Sequence, residues 1–128
     1  MAHLGDYYER IYRRSDLLAL TSSFRPLRMW ARLILNRDGV DLVAHELVAD
    51  VITVGRASLN HVVIDDATVS AQHAMLMRVG HSCRLRDLRS TNGTQVNEVA
   101  ITEAELKDGD KIRFGSAVAI FARCARKT

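Results

Sequence analysis

The chain has 128 residues, 48% of them hydrophobic and 26% charged, enough for one domain with a single apolar core and too apolar for a disordered or collagen-like chain. No apolar run approaches the ~20 residues with which a helix crosses a bilayer, and a net charge of +3 is too slight for the footprint of a nucleic-acid binder. Cys83 and Cys124 are the only cysteines, and MAHLGDYYERIYRR lacks the apolar stretch of an export signal, so they read as free thiols of a reducing, cytoplasmic compartment.

In chain order, residues 1–27 read as an N-terminal tail. Tyr8, Ile11, Tyr12 and Leu18 recur at roughly helical spacing, so a short helix is expected between Asp6 and Leu20. A polar break follows at Thr21-Ser22-Ser23, and then the single proline, Pro26. The domain, 28–128, opens at Arg28. MWARLILN runs to a turn at Asp38-Gly39, and Trp30 is expected where the tail meets this first strand. VITVG is β-branched and ends in glycine, while HVVID is an apolar run between Asn60 and Asp65. HAMLMRVG sets Met75, Met77 and Val79 on one side and Leu76 on the other; CRLRDL sets Cys83, Leu85 and Asp87 on one side. DKIRFG and SAVAIFARC follow, with Val118 and Ile120 alternating with Ala119 and Phe121. Short strands with turns between them, and no room for crossover helices, predict an all-β antiparallel sandwich or barrel.

In such a fold the strands are scaffold and the loops carry function. Three polar clusters stand at strand ends: Gly55-Arg56, Ser70-Ala71-Gln72-His73, and Ser90-Thr91-Asn92-Gly93-Thr94 with Asn97 nearby. One guanidinium, several hydroxyls, an amide and glycine-turn backbone make a set rich in donors and short of bases. It suits holding a doubly charged oxyanion better than breaking a bond.

GRASLNHVVIDDATVSAQH, RDLRSTNGTQVN and LKDGDKIRFG, in that order and with fitting gaps, resemble the forkhead-associated (FHA) domain from about Arg28 to Arg123. The resemblance implies an antiparallel β-sandwich of about eleven short strands that binds phosphothreonine. Carried over by residue, it implies that Arg56 grips the phosphate and Ser70 gives it a hydroxyl hydrogen bond. Thr91 would help line the pocket for the threonine methyl, and Asn92 would hydrogen-bond the ligand's main chain. Gly55, His73, Gly93 and Asn97 would shape the loops. The sequence departs from the family at Ala71, where a polar or basic residue often adds a phosphate contact; its loss is worth about 1.5–3 kcal/mol. Arg89, beside Thr91, is the candidate to compensate.

The implied function is a phosphothreonine-dependent adaptor or regulator in Ser/Thr-kinase signalling. Its partners would be kinase substrates or the kinase itself, with no cofactor, metal, nucleic acid or membrane insertion. Thr21, Ser22 and Ser23 are candidate phosphosites of an autoinhibitory tail, as in small FHA regulators. A rival reading is a phosphate-independent assembly module that docks through Tyr8, Ile11, Tyr12 and Leu18. Ser70, His73 and Asp87 invite a hydrolase reading but lack the Gly-x-Ser-x-Gly elbow. His81 and Cys83 lack the second ligand pair of a zinc site, and no Walker lysine follows the Asn-Gly-Thr turn.

Overall fold

The structure, a computed structural model, describes residues 28–124; the expected tail helix lies outside the described residues. Eleven strands are present among them: β1 (Ala31–Arg37), β2 (Val40–Leu47), β3 (Val51–Gly55), β4 (Val62–Val63), β5 (Ala74–Val79), β6 (Ser82–Asp87), β7 (Thr94–Val96), β8 (Val99–Ile101), β9 (Glu103–Leu106), β10 (Lys111–Phe114) and β11 (Ala117–Arg123). They form a six-stranded sheet, β2-β1-β11-β10-β7-β8, and a five-stranded sheet, β4-β3-β5-β6-β9. The expected all-β sandwich is therefore present, with one difference: β4 runs parallel to β3, pairing Val62 with Val54. The turn over residues 56–61 brings the chain back level with Thr53, where the Thr53 amide donates to His61 Nδ1 at 2.9 Å.

Alternation decides which side chains meet between the sheets. Leu33 of β1 lies across from Phe121 of β11, and Leu76 of β5 from Leu85 of β6; all four are fully buried with Ile112 and Phe114. Met75 and Met77 take the opposite face of β5 and are half-buried, so of the two faces expected along HAMLMRVG it is that of Ala74 and Leu76 that enters the core. Burial pushes the Cys83 thiol pKa up to about 12, and Cys83 and Cys124 are both free.

The two poles of the sandwich differ. At one, Trp30 is 8% exposed, packs on Phe121 at 6.3 Å between ring centroids, and donates its indole N–H to the Ala49 carbonyl at 2.9 Å. The Cys124 amide donates to the Trp30 carbonyl at 3.1 Å, so both borders of the domain leave here. β1 carries the chain away from this pole to Arg37. At the far pole lie the β3–β4, β4–β5 and β6–β7 loops and the β10–β11 turn.

Candidate functional site

Gly55 ends β3 where another loop crosses its backbone. A Cβ there would sit 2.3 Å from the Ala71 carbonyl oxygen and 2.8 Å from Asn60 Nδ2, so only hydrogen fits. This close approach stitches the β3–β4 loop to the β4–β5 loop. The Arg56 amide donates to the Ser70 carbonyl (2.9 Å) and the Ala57 amide to that of Ala71 (3.2 Å). Asn60 Nδ2 donates to both Ala57 and Ala71 carbonyls, at 2.8 and 2.7 Å. The Arg56 side chain is exposed, and its contact with the Ala67 carbonyl is a long 3.4 Å, so most of its donors point to solvent.

His73 joins the second loop to the third. It is completely buried, edge-on to Phe114. Its Nδ1 accepts the Ser70 amide at 3.0 Å and so carries no proton. Nε2 must then be the protonated nitrogen, donating to the Gly93 carbonyl at 2.9 Å. Both ring nitrogens are thus spent on backbone, and neither is available as a base for Ser70. Ser70 Oγ instead accepts the Thr91 amide at 3.0 Å, which leaves its own proton for an outside acceptor. The hydrolase arrangement is absent: Asp87 bonds Ser90 and Thr94 rather than His73.

Asp87 fixes the third loop. Its carboxylate accepts the Ser90 hydroxyl, the Thr94 hydroxyl (2.7 Å) and the Ser90 amide (3.1 Å), while Ser90 Oγ accepts the Gly93 amide (3.0 Å). Burial raises the Asp87 pKa, but these donors outweigh it and hold the carboxyl below its ordinary value. The turn so braced presents Thr91 and Asn92 on the surface, with Arg89 exposed beside them at φ 56°.

Asn92 is tied down on one side only. Its Nδ2 donates to the Thr68 carbonyl at 2.8 Å, which turns Oδ1 away from that bond and toward an incoming donor. The Thr68 carbonyl is itself held by a network that the sequence motifs do not show. Thr68 Oγ1 donates to Asp66 (2.6 Å) and accepts the Ser116 amide (2.8 Å), and Ser116 Oγ reaches Asp66 Oδ2 at 3.2 Å. The Thr68 hydroxyl and amide, in that order, hold the Asp66 pKa below its usual range. Gly115 passes so near that a Cβ would lie 2.4 Å from the Thr68 carbonyl oxygen. Asp66-x-Thr68 is a local turn spacing that sequence can show; Ser116, 48 residues on, has no such signal.

The structure thus brings Arg56, Ser70, Thr91 and Asn92 onto one continuous loop surface. It does not bring Asn97 there: that residue stands at the β7–β8 turn, where Nδ2 donates to Asp110 (2.9 Å) and Oδ1 accepts the Lys111 amide (3.0 Å). Thr21, Ser22 and Ser23 lie outside the described residues. Among the described residues no group of three or more His, Cys, Asp or Glu is placed to hold a metal ion. A guanidinium, a hydroxyl proton and glycine-turn amides around one opening can hold a dianion.

The family model of the FHA domain matches residues 52–115, which is 64 of the 128 residues. A domain solved in a structural and functional analysis of phosphothreonine-dependent FHA domain interactions superposes with a TM-score of 0.69 at 32% identity, over 76% of this chain and 99% of its own. Mycobacterium tuberculosis EmbR, solved in complex with a low affinity phosphopeptide, superposes with a TM-score of 0.68 at 29% identity, over 89% of this chain and 30% of its own. The ABC transporter ATP-binding/permease protein Rv1747 of M. tuberculosis is 38% identical over 77 residues, which is 60% of this chain and 9% of the transporter. Superposing on solved members, and with half its length matched by the family model, the chain belongs to the FHA family.

Proposed function

We propose that the chain is a phosphothreonine-dependent peptide- or protein-binding module, acting as an adaptor or regulator in cytoplasmic Ser/Thr-kinase signalling rather than as an enzyme. The observation that carries this reading is the exposed Arg56 side chain on a loop whose backbone pairs with that of Ser70, and a Ser70 hydroxyl whose proton has no acceptor among the described residues, on loops braced before any ligand arrives. Phosphorylation gives a threonine about −1.5 to −2 charge at neutral pH. Arg56 and Ser70 meet that charge, Thr91 contacts the threonine methyl, and Asn92 Oδ1 takes a main-chain N–H of the peptide. Two relatives support the assignment: one was studied for phosphothreonine-dependent interactions and EmbR was solved with a phosphopeptide. Few groups are buried in such a contact, which sets affinity near the micromolar range, about −8 kcal/mol.

The test is a titration of wild type and Arg56→Ala with a degenerate phosphothreonine peptide library, against phosphoserine and unphosphorylated libraries. Phosphothreonine-dependent binding that disappears in Arg56→Ala is the expected result; equal binding of all three libraries refutes it. Phosphorylation at Thr21, Ser22 or Ser23 would place a competing phosphate on the same chain. Under that reading, a chain phosphorylated at Thr21 loses affinity for external phosphopeptide and regains it on deletion of residues 1–27. Partner capture that is lost with residues 1–27 but indifferent to phosphate would select the assembly module instead.

A further inference from the structure

Three contacts fix the order in which the β4–β5 and β6–β7 loops lie against each other. The Asn92 side-chain amide donates to the Thr68 carbonyl (2.8 Å), the Thr91 backbone amide to Ser70 Oγ (3.0 Å), and the Leu88 backbone amide to the His73 carbonyl (2.9 Å). Arg56 comes abreast of Ser70 through its own amide, which donates to the Ser70 carbonyl. A phosphate held there has Asn92 on one side. On the other it has Arg89, in the span between Leu88 and Thr91 that lies level with Ala71 and Gln72.

Arg89 is exposed and has no hydrogen bond or ion pair among the described residues. The acids of the surrounding elements are engaged or lie elsewhere. Asp87 accepts Ser90 and Thr94, and Glu103 of β9 holds Arg84 (2.7 Å) and Arg86 (2.8 Å). Asp66 bonds Thr68 and Ser116, beyond the Asn92 contact, and Asp65 precedes it there. Arg56, the other cation abreast of the site, has no ion pair among the described residues either. The Arg89 backbone sits in the left-handed region at φ 56°, which costs any residue with a Cβ. Three other non-glycine residues share that region. Asp38 and Asn97 are of the types that visit it readily, and Glu98 pairs with Lys111 at 3.5 Å. Arg89 has neither compensation. A strained, unpaired guanidinium at the border of an anion site suits a negative group that arrives with the ligand.

We infer that Arg89 reads an acidic side chain of the bound phosphopeptide, an aspartate or glutamate on the side of the phosphothreonine away from the main-chain contact of Asn92. The inference rests on the phosphopeptide reading above. In that reading Arg56 and Ser70 face the phosphate, and a peptide leaving it on the Arg89 side passes this guanidinium. A carboxylate gives it the forked partner that no described residue supplies.

The experiment uses the full chain and phosphothreonine peptides with neutral flanks, each carrying one aspartate at a different position on either side of the phosphothreonine. On one side only, aspartate is expected to bind about fivefold tighter than alanine, the upper scale of an exposed ion pair. Arg89→Gly abolishes that ratio, and Arg89→Glu transfers the preference to lysine at the same position. Glycine accepts φ 56°, so the Arg89→Gly chain should unfold at a denaturant midpoint no lower than wild type, which separates a lost contact from a lost fold. A gain at no position overturns the inference. So does a gain that survives Arg89→Gly, which reports only the overall charge of the site. An equal loss of the aspartate and alanine peptides in Arg89→Gly overturns it too, by placing Arg89 on the phosphate. Failure of the neutral phosphopeptide to bind wild type in a phosphate-dependent way overturns the phosphopeptide reading itself, and the role of Arg89 with it.

Discussion

A histidine with no exposed surface needs a partner for each ring nitrogen, and His73 takes one from each of the loops it separates. Truncating it orphans the Ser70 amide and the Gly93 carbonyl and opens a void against Phe114. His73→Ala is therefore expected to cost about 3 kcal/mol or more by chemical denaturation. Ala71 presents the converse case, since it is exposed and beside the site. Ala71→Arg adds a charge-assisted donor without disturbing the fold, and should tighten phosphothreonine-peptide binding about tenfold, ~1.4 kcal/mol, by calorimetric titration. His45 gives a pH prediction. Its Nε2 is buried with no hydrogen-bond partner among the described residues, and burial holds its pKa below 6.5. The unfolded chain thus binds a proton at higher pH than the folded one, so stability is full above that value and falls as pH drops through it. Between about pH 7 and 5 the denaturation midpoint should decline in wild type and decline less in His45→Gln. Arg56, Ser70, Thr91 and Asn92 were legible because motif spacing fixes them. Thr68 and Ser116 were not, because a hydrogen bond across 48 residues leaves no local pattern.

At the scale of elements, legibility followed length and burial. VITVG, CRLRDL and SAVAIFARC alternate long enough for one face to declare itself. β2 does not: it is an edge strand with four exposed residues at its start, and the shift between Leu35 and Asn36 breaks its phase. β7 and β8 have three residues each, too few for a period of two to register. β4, with two, could not show that it would pair in parallel. The Asp66–Thr68–Ser116 network joins the β4–β5 loop to the β10–β11 turn, and through Asn92 to the β6–β7 loop, so its loss should act at a distance. Thr68→Val keeps the shape and the main-chain carbonyl while removing three hydroxyl hydrogen bonds. It is expected to cost about 1–3 kcal/mol of stability. It should also weaken phosphopeptide binding several-fold, measured at a temperature where the variant stays folded. An unchanged affinity would show that Asn92 needs no such anchor.

Over the whole molecule, the sandwich was legible in the absence of room for crossover helices and in the ordered motifs, whereas the pairing of the loops into one surface was not. That pairing depends on close approaches, at Gly55 against Ala71 and Gly115 against Thr68; the resemblance marked Gly55 as loop-shaping without showing what it meets, and nothing in the sequence marked Gly115. Across the curated relatives, the chain spans from 9% to 48% of the relative's length, so the matched segment sits within longer chains, some of them several times this one's length. Its borders suit this: Trp30 and Cys124 are hydrogen-bonded neighbours at the pole away from the loops. A permuted chain that bridges those borders and opens at the exposed Gly80 turn should keep wild-type phosphopeptide affinity.

The separation of the poles also sets a leash length for any phosphate carried on the tail. Thr21 precedes Arg28 by seven residues, a contour of about 24 Å at full extension. β1 alone, also seven residues, runs about 23 Å from the tail's exit toward the pole of Arg56. A phosphate on Thr21 would reach its own chain's site only with the leash drawn straight, and would reach a neighbouring copy's site slack. Lengthening the leash with a short Gly/Ser insert after Ser23 should therefore strengthen self-masking, and dilution should unmask the native-length chain before the lengthened one.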